Sequence, residues 1–170
     1  NLKQEKLVKK IGVSIYDPYQ IDEIDFLYNF DVIQSPFNLF DRRLLHSGWL
    51  KKKEKRGIEV QIRSVFLQGL LLLKKDKLPE EFFKWKKLWE KLDLFVSSNN
   101  FSNLDLVLSF VKSFKEIDTI IIGIDNLMQL KEIINTMNKE INDFPDIYSH
   151  DENLINPLNW DLYKSNKKEF

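Results

Sequence analysis

Two rhythms of apolar and polar positions alternate along this chain. Short β-branched runs bounded by charge occur at Lys9–Tyr16 (KKIGVSIY), Asp31–Gln34 (DVIQ), Ile58–Phe66 (IEVQIRSVF) and Asp118–Ile124 (DTIIIGI), and they predict four strands. Between them the apolar residues recur every three or four positions, which predicts helices. In DPYQIDEIDFLYN, Asp17 can cap, Pro18 suits the first position, and Ile21, Ile24 and Leu27 form a stripe. LLHSGWLKKKEKRG reads as one helix closed by Gly57 in the left-handed conformation. PEEFFKWKKLWEKL puts Phe82, Trp85, Trp89 and Leu92 on one face. SNLDLVLSFVKSF carries a capping box at Ser102 and Asp105, with Leu104, Leu108, Val111 and Phe114 inward. The last, NLMQLKEIINTMNKEI, has the stripe Leu127, Leu130, Ile134, Met137 and Ile141.

Strand and helix alternate throughout, and the strands read as apolar on both faces, so the expected class is α/β with a parallel sheet covered by helices. No GxGxxG and no GxxxxGK[ST] follows a strand, which removes the dinucleotide fingerprint and the P-loop. The remaining parallel architecture, the (β/α)8 TIM barrel, needs eight strands and roughly 250 residues. This chain of 170 residues supplies about four strands. The expectation is therefore half of a (β/α)8 barrel with outer helices over residues 1–142. Residues 143–170, rich in Asn and Asp and anchored by Pro157 and Trp160, are expected as a C-terminal tail packing on it.

Composition narrows the function classes. With 26 basic and 26 acidic residues there is no global pull toward nucleic acid or acidic lipid. The longest apolar run, around Leu70–Leu73, is far too short for a membrane span. Absence of cysteine excludes disulfides and thiolate metal sites and suits a reducing, cytoplasmic setting. Two histidines, His46 and His150, leave little for a metal centre. Alanine is missing altogether, which reads as coding bias without functional content. The polar lead from Asn1 to Lys10 runs directly into a strand, which predicts further sequence upstream.

In a parallel barrel the ligand lies at the carboxyl ends of the strands. The polar residues there are Ser14, Gln34, Arg63, Ser64, and Gly123 leading to Asp125 and Asn126. A hydroxyl, an amide and a guanidinium suit an uncharged amide and a phosphate better than proton transfer. Each has a structural alternative. Ser14 can bond its own turn, and Gln34 can satisfy neighbouring backbone. Arg63 can pair with Asp31 or Asp41, and Asn126 can cap the helix that follows. His46 reads as structural or exposed, the KKKEKR run as a solvated helix face, and Phe82–Trp89 as core. No Tyr/Lys pair, Ser/His/Asp set or facing carboxylate pair stands at the strand ends.

KIGVSIYDP, DVIQSPFNLFDRRLL, GIEVQIRSVFLQGLLLL and IIIGIDNLMQLKEII, in this order and spacing, resemble the C-terminal half of an aldo-keto reductase over Leu7 to about Ile141. PLNW near Trp160 suits that family's C-terminal segment. The resemblance implies a (β/α)8 barrel that reduces aldehydes and ketones with NADPH, sometimes NADH, of which this chain holds strands five to eight. It implies that Gln34 bonds the nicotinamide carboxamide, with Ser14 beside it, amide meeting amide. Ser64, Phe66 and Gln68 match the loop over the pyrophosphate. The Gly123–Glu132 segment, with Asn126, Gln129 and Glu132, matches the one that holds the adenosine 2′-phosphate and adenine. Ile15 stands where many members have an asparagine, and Arg63 where many have an aromatic that stacks on nicotinamide. Gly123 stands where many have a lysine for the 2′-phosphate, which leaves NADP and NAD both open. The family's catalytic Asp, Tyr, Lys and His lie on the first four strands, so no residue here inherits those roles.

Three functions follow as expectations. The first is the cofactor-binding half of a reductase acting on small carbonyl compounds, sugar-like metabolites among the candidates, and inactive without its catalytic half. The second is a non-catalytic half-barrel that pairs with itself or with a separate N-terminal half. The third, an unrelated four-stranded binding domain, would have a sheet that does not curve.

Overall fold

The computed structural model describes residues 2–160. Asn1 and the last part of the expected tail, residues 161–170, lie outside the described residues, as does the Leu27 side chain. Four strands form one sheet in chain order: β1 (Gly12–Ser14), β2 (Val32–Pro36), β3 (Glu59–Arg63) and β4 (Thr119–Ile120). All three pairings are parallel. The helices are α1 (Ile21–Leu27), α2 (Arg43–His46), α3 (Trp49–Arg56), α4 (Lys86–Ser98), α5 (Asn103–Lys112), α6 (Leu127–Met137) and α7 (Glu152–Ile155). Each strand is laid beside the one before it, with no reversal of order. That is the progression of a barrel rather than of a doubly wound sheet, which reverses at a switch point. The fold is α/β, four parallel strands with helices, as in part of a TIM barrel.

Gly12 lets β1 approach β2: a Cβ there would meet Val32 O at 2.6 Å and Val32 Cβ at 2.8 Å. On β2 and β3, Ile33, Val60 and Ile62 point into the core beneath the helices. Between them Gln34, Glu59, Gln61 and Arg63 are only half-buried. The strands are therefore two-faced, where apolar character on both sides was expected, because the inner face of this sheet is open.

Several local expectations hold. Asp17 accepts the Tyr19 N–H at 3.0 Å ahead of α1. Ser102 and Asp105 form the capping box of α5. Gly57 closes α3 at φ 64°. The helix expected over Leu44–Gly57 is split, because Gly48 at φ 77° turns the chain between α2 and α3. Phe82, Trp89 and Leu92 are buried, and the Trp85 indole N–H reaches Asp151 at 3.0 Å.

Two expectations fail at the far edge. β4 has two residues instead of a run to Ile124, since it has a neighbour on one side only and Ile121 and Ile124 are exposed. On α6 the stripe Leu127, Leu130, Ile134 and Met137 faces outward, and only Ile141 of that set is buried. The helix instead turns Ile133 and Thr136 inward. A hydrophobic stripe is buried only where another layer meets it, and the main packing partner of α6 is α5.

The amino ends of the strands are clamped by charge. Asp31 takes Lys3 at 2.7 Å and the Ile11 N–H at 2.8 Å, and Lys10 pairs with Glu59. Asp118 takes Lys53 and the Val60 N–H. The C-terminal segment returns across the outside. Arg42 donates to Leu39 O at 3.1 Å and Pro145 O at 2.8 Å, and more distantly to Ile147 O at 3.4 Å. Ile147, Leu154, Ile155 and Trp160 are buried there.

Candidate functional site

At the carboxyl end of the sheet, strand register sets Ser14 beside Gln34. The Ser14 hydroxyl donates to Gln34 Oε1 at 3.2 Å. Gln34 is half-buried, and among the described residues its Nε2 makes no hydrogen bond, so the amide is oriented but not saturated. Ser14 thus bonds the candidate amide rather than its own turn.

Arg63 ends β3 and reaches across to the end of β1. Its Nη2 donates to Ile15 O at 3.0 Å, its Nη1 to Ser64 Oγ at 3.3 Å, and its guanidinium lies 4.6 Å from the Tyr16 ring centroid. It pairs with neither carboxylate considered from the sequence. Asp41 is taken by Arg43 at 2.9 and 2.8 Å, and Asp31 by Lys3 and Ile11.

The loop after β3 is tightly wound. Ser64, Leu67 and Gln68 have φ of 58°, 47° and 55°, and Gly69 follows at 88°. A side chain in this conformation costs on the order of 1–2 kcal/mol per residue, so the surroundings must impose it. Leu67 N–H to Ser64 O at 2.9 Å and Gly69 N–H to Phe66 O at 3.0 Å hold the coil. The fully buried Asn38 amide donates to Ser64 O at 3.0 Å, while its own oxygen takes the Phe40 and Asp41 N–H groups. Asn38 and Tyr16 were missed from the sequence. The signal for Asn38 was an amide just past a strand end, in SPFN.

Ser64, Phe66 and Gln68 from this loop meet Gly123, Gln129 and Glu132 from the β4–α6 segment around a cavity of about 460 Å³. Six candidates from two distant segments share this one hollow. Ser14, Gln34 and Arg63 lie along the rim beside it, joined to it through the Arg63–Ser64 contact. Asn126 does not line the cavity: it caps α6, its Oδ1 accepting the Gln129 N–H at 3.0 Å. The larger hollow of about 730 Å³, between α4, α5 and the Leu72–Lys74 segment, shares Leu72, Leu104 and Glu132 with it. His46 stands apart with Tyr148 and His150 on the outer face.

Three of the carboxylates held below their usual range lie away from this rim, at the opposite end of the sheet. Asp31 is lowered by the Lys3 bond and then by the Ile11 N–H, and Glu59 by Lys10 and then Gln61. For Asp118, burial works upward but is outweighed by Lys53 and the Val60 N–H. These are at the amino ends, where a barrel keeps its stabilising contacts. Among the described residues no group of three His, Asp or Glu could hold a metal ion, and no helix is long and apolar enough to cross a membrane.

A model of the aldo/keto reductase family matches residues 1–152. The chain belongs to the aldo/keto reductase family. Among solved structures it is similar to aldo-keto reductase AKR11C1 from Bacillus halodurans in its holo form, at 23% identity and TM-score 0.67, over 83% of this chain and 49% of that one. The thermostable aldo-keto reductase Tm1743, solved with the inhibitor epalrestat, matches at 17% identity and TM-score 0.61, over 84% of this chain and 47% of its own. Glycerol dehydrogenase AKR11B4 from Gluconobacter oxydans matches at 17% and 0.52, over 87% of this chain and 55% of its own. At such identities these likenesses speak to fold. The chain spans about half the length of the solved structures it matches. No curated protein matches it.

Proposed function

We propose that this chain is the cofactor-binding half of an NAD(P)H-dependent aldo-keto reductase, its β1–β4 being strands five to eight of the complete barrel. The observation that carries the reading is the convergence of six candidate residues, from the loop after β3 and the start of α6, on one cavity at the carboxyl ends of the strands. A hollow of this size suits a small-molecule ligand. When bound, the nicotinamide would supply hydride to an aldehyde or ketone carbonyl.

The chain's own residues would bind and orient. Gln34 offers Nε2 to the carboxamide oxygen and a remaining lone pair of Oε1 to the carboxamide N–H, with Ser14 fixing the plane of the amide. Arg63, anchored on Ile15 and Tyr16, would lie on the nicotinamide in place of an aromatic ring. Ser64, Phe66 and Gln68 would cover the pyrophosphate, and Gln129 and Glu132 would meet the adenosine end. The catalytic acid and its partners would come from a half that this chain does not contain, so the chain alone is inactive toward small carbonyl substrates, sugar-like ones included. Its lack of cysteine supports a cytoplasmic setting.

Calorimetric titration with NAD⁺ and NADP⁺ tests the reading. At least one dinucleotide binds, and Gln34→Leu weakens it by about tenfold, the worth of a good hydrogen bond. A variant that binds as tightly as the parent would remove the amide pairing.

The outward apolar stripe of α6 favours a second reading, a half-barrel that assembles with a separate N-terminal half or with its own copy. Sedimentation velocity separates the two: a chain that stays monomeric at high concentration with no partner added counts against self-assembly.

A further inference from the structure

The cavity is asymmetric in charge, and this bears on which dinucleotide it accepts. We infer, resting on the cofactor reading above, that the site selects the dinucleotide whose adenosine ribose has free 2′- and 3′-hydroxyls over the form phosphorylated at the 2′ position. At the end formed by β4 and α6, the charged residues lining the cavity are Asp125 and Glu132. Among the described residues no lysine or arginine lines it. Arg63 belongs to the other end, tied to Ile15 O and Ser64 Oγ, where it suits the pyrophosphate or nicotinamide.

A 2′-phosphate brings close to two negative charges at neutral pH and requires cations or free N–H donors. Among the described residues no cation lines the cavity to supply the first. The donors of a helix start are the usual substitute for a cation. At α6 two of the nearby donors are already taken: the Gln129 N–H goes to Asn126 Oδ1 at 3.0 Å and, ahead of the helix, the Asp125 N–H goes to Gln129 Oε1 at 2.9 Å. That leaves the Leu127 and Met128 N–H groups, with no cation among the described residues of the cavity wall and with the Asp125 and Glu132 carboxylates on it. Gly123 adds no reach, because a Cβ there would meet nothing within 4 Å and nothing else projects in its place. A ribose diol has the opposite needs. Its hydroxyls donate, and a carboxylate accepts them, which is how acidic residues recognise the unphosphorylated ribose in other dinucleotide sites. Asp125 is oriented for this by Gln129, whose Nε2 lies 3.5 Å from Oδ2. Phosphate and carboxylates in one half-enclosed hollow would repel, and the hollow holds no counter-charge for them.

Parallel titrations of the chain with NAD⁺ and NADP⁺, and with adenosine 5′-monophosphate and adenosine 2′,5′-bisphosphate, decide it. The unphosphorylated member of each pair binds at least tenfold more tightly at low salt, and the gap narrows as salt screens the repulsion. The double variant Asp125→Asn with Glu132→Gln brings the two dinucleotides within about twofold, and Asp125→Lys reverses the order. These are exposed positions, and circular dichroism reports whether each variant folds. Should one not fold, the parent titrations alone still decide. Equal or tighter binding of NADP⁺ would overturn the inference and leave the cofactor reading standing. Binding of neither dinucleotide would overturn both.

Discussion

Helices α5 and α6 are neighbours of nearly equal length and similar apolar content, yet they occupy opposite environments. α5 buries eight of its ten residues, from Asn103 to Val111. α6 buries Thr136 alone of its eleven, and leaves Leu127 63%, Met128 80% and Ile134 54% exposed. α5 has α4 and the Leu70–Leu72 turn beside it, Phe37 from the end of β2 stacked on its Phe110, and Phe144 of the C-terminal segment against the same ring, so most of its faces find a surface. α6 follows β4, and among the described residues nothing covers its outward side. A helix's apolar stripe announces a demand for a partner, and says nothing about whether this chain supplies one.

The largest test of this contrast is Phe110→Ala in α5. The ring is buried against Phe37, Phe114 and Phe144, with the Arg42 guanidinium 4.9 Å from its centre. Its removal is expected to cost about 3–5 kcal/mol in urea unfolding. A loss near zero would mean that α5 is not the organising layer.

Next is Asp105, which joins the two helices. It caps α5 through Ser102, and takes Lys139 at 2.8 Å and the Thr136 hydroxyl at 3.3 Å. Asp105→Ala should cost about 1–2 kcal/mol, as for a lost cap. Burial pushes this carboxyl up, but the Lys139 and Ser102 bonds outweigh it and hold it below the usual range. A carboxylate lowered by folding contributes stability above its unfolded pKa of about 4 and loses it as pH falls through the lower folded value. Unfolding free energy should therefore drop on acidification below about pH 4, and less steeply in Asp105→Asn. Identical acid limbs would refute the ion pair's role.

The smallest effect is expected at Ile134→Ser on α6, within about 0.5 kcal/mol, because no packing is lost. A destabilisation of several kcal/mol in a monomeric sample would show that this face is covered in solution.

The same contrast explains what could be read in advance. Strand order, the Ser102–Asp105 box and the left-handed Gly57 depend on residues close in sequence, and each was legible. Ser14 and Gln34 lie in adjacent strands, so their meeting followed from register once the sheet was parallel. The partner of Arg63 was not legible, because Ile15 O and the Tyr16 ring lie 48 and 47 positions away and no charge pattern marks a backbone carbonyl. Asn38 was hidden in a loop that looked like ordinary punctuation. The break at Gly48 was obscured by an apolar spacing that continues across it. The outward stripe of α6 could not be foreseen, since burial depends on neighbours and periodicity does not count them.

Arg42 holds the returning C-terminal segment mainly by main-chain oxygens, those of Pro145 and Ile147, together with Leu39 on its own side. Main-chain oxygens are the same whatever residue bears them. The segment can therefore drift in composition at these positions without loosening this fastening, indifferent to the text it holds, while the arginine can change hardly at all.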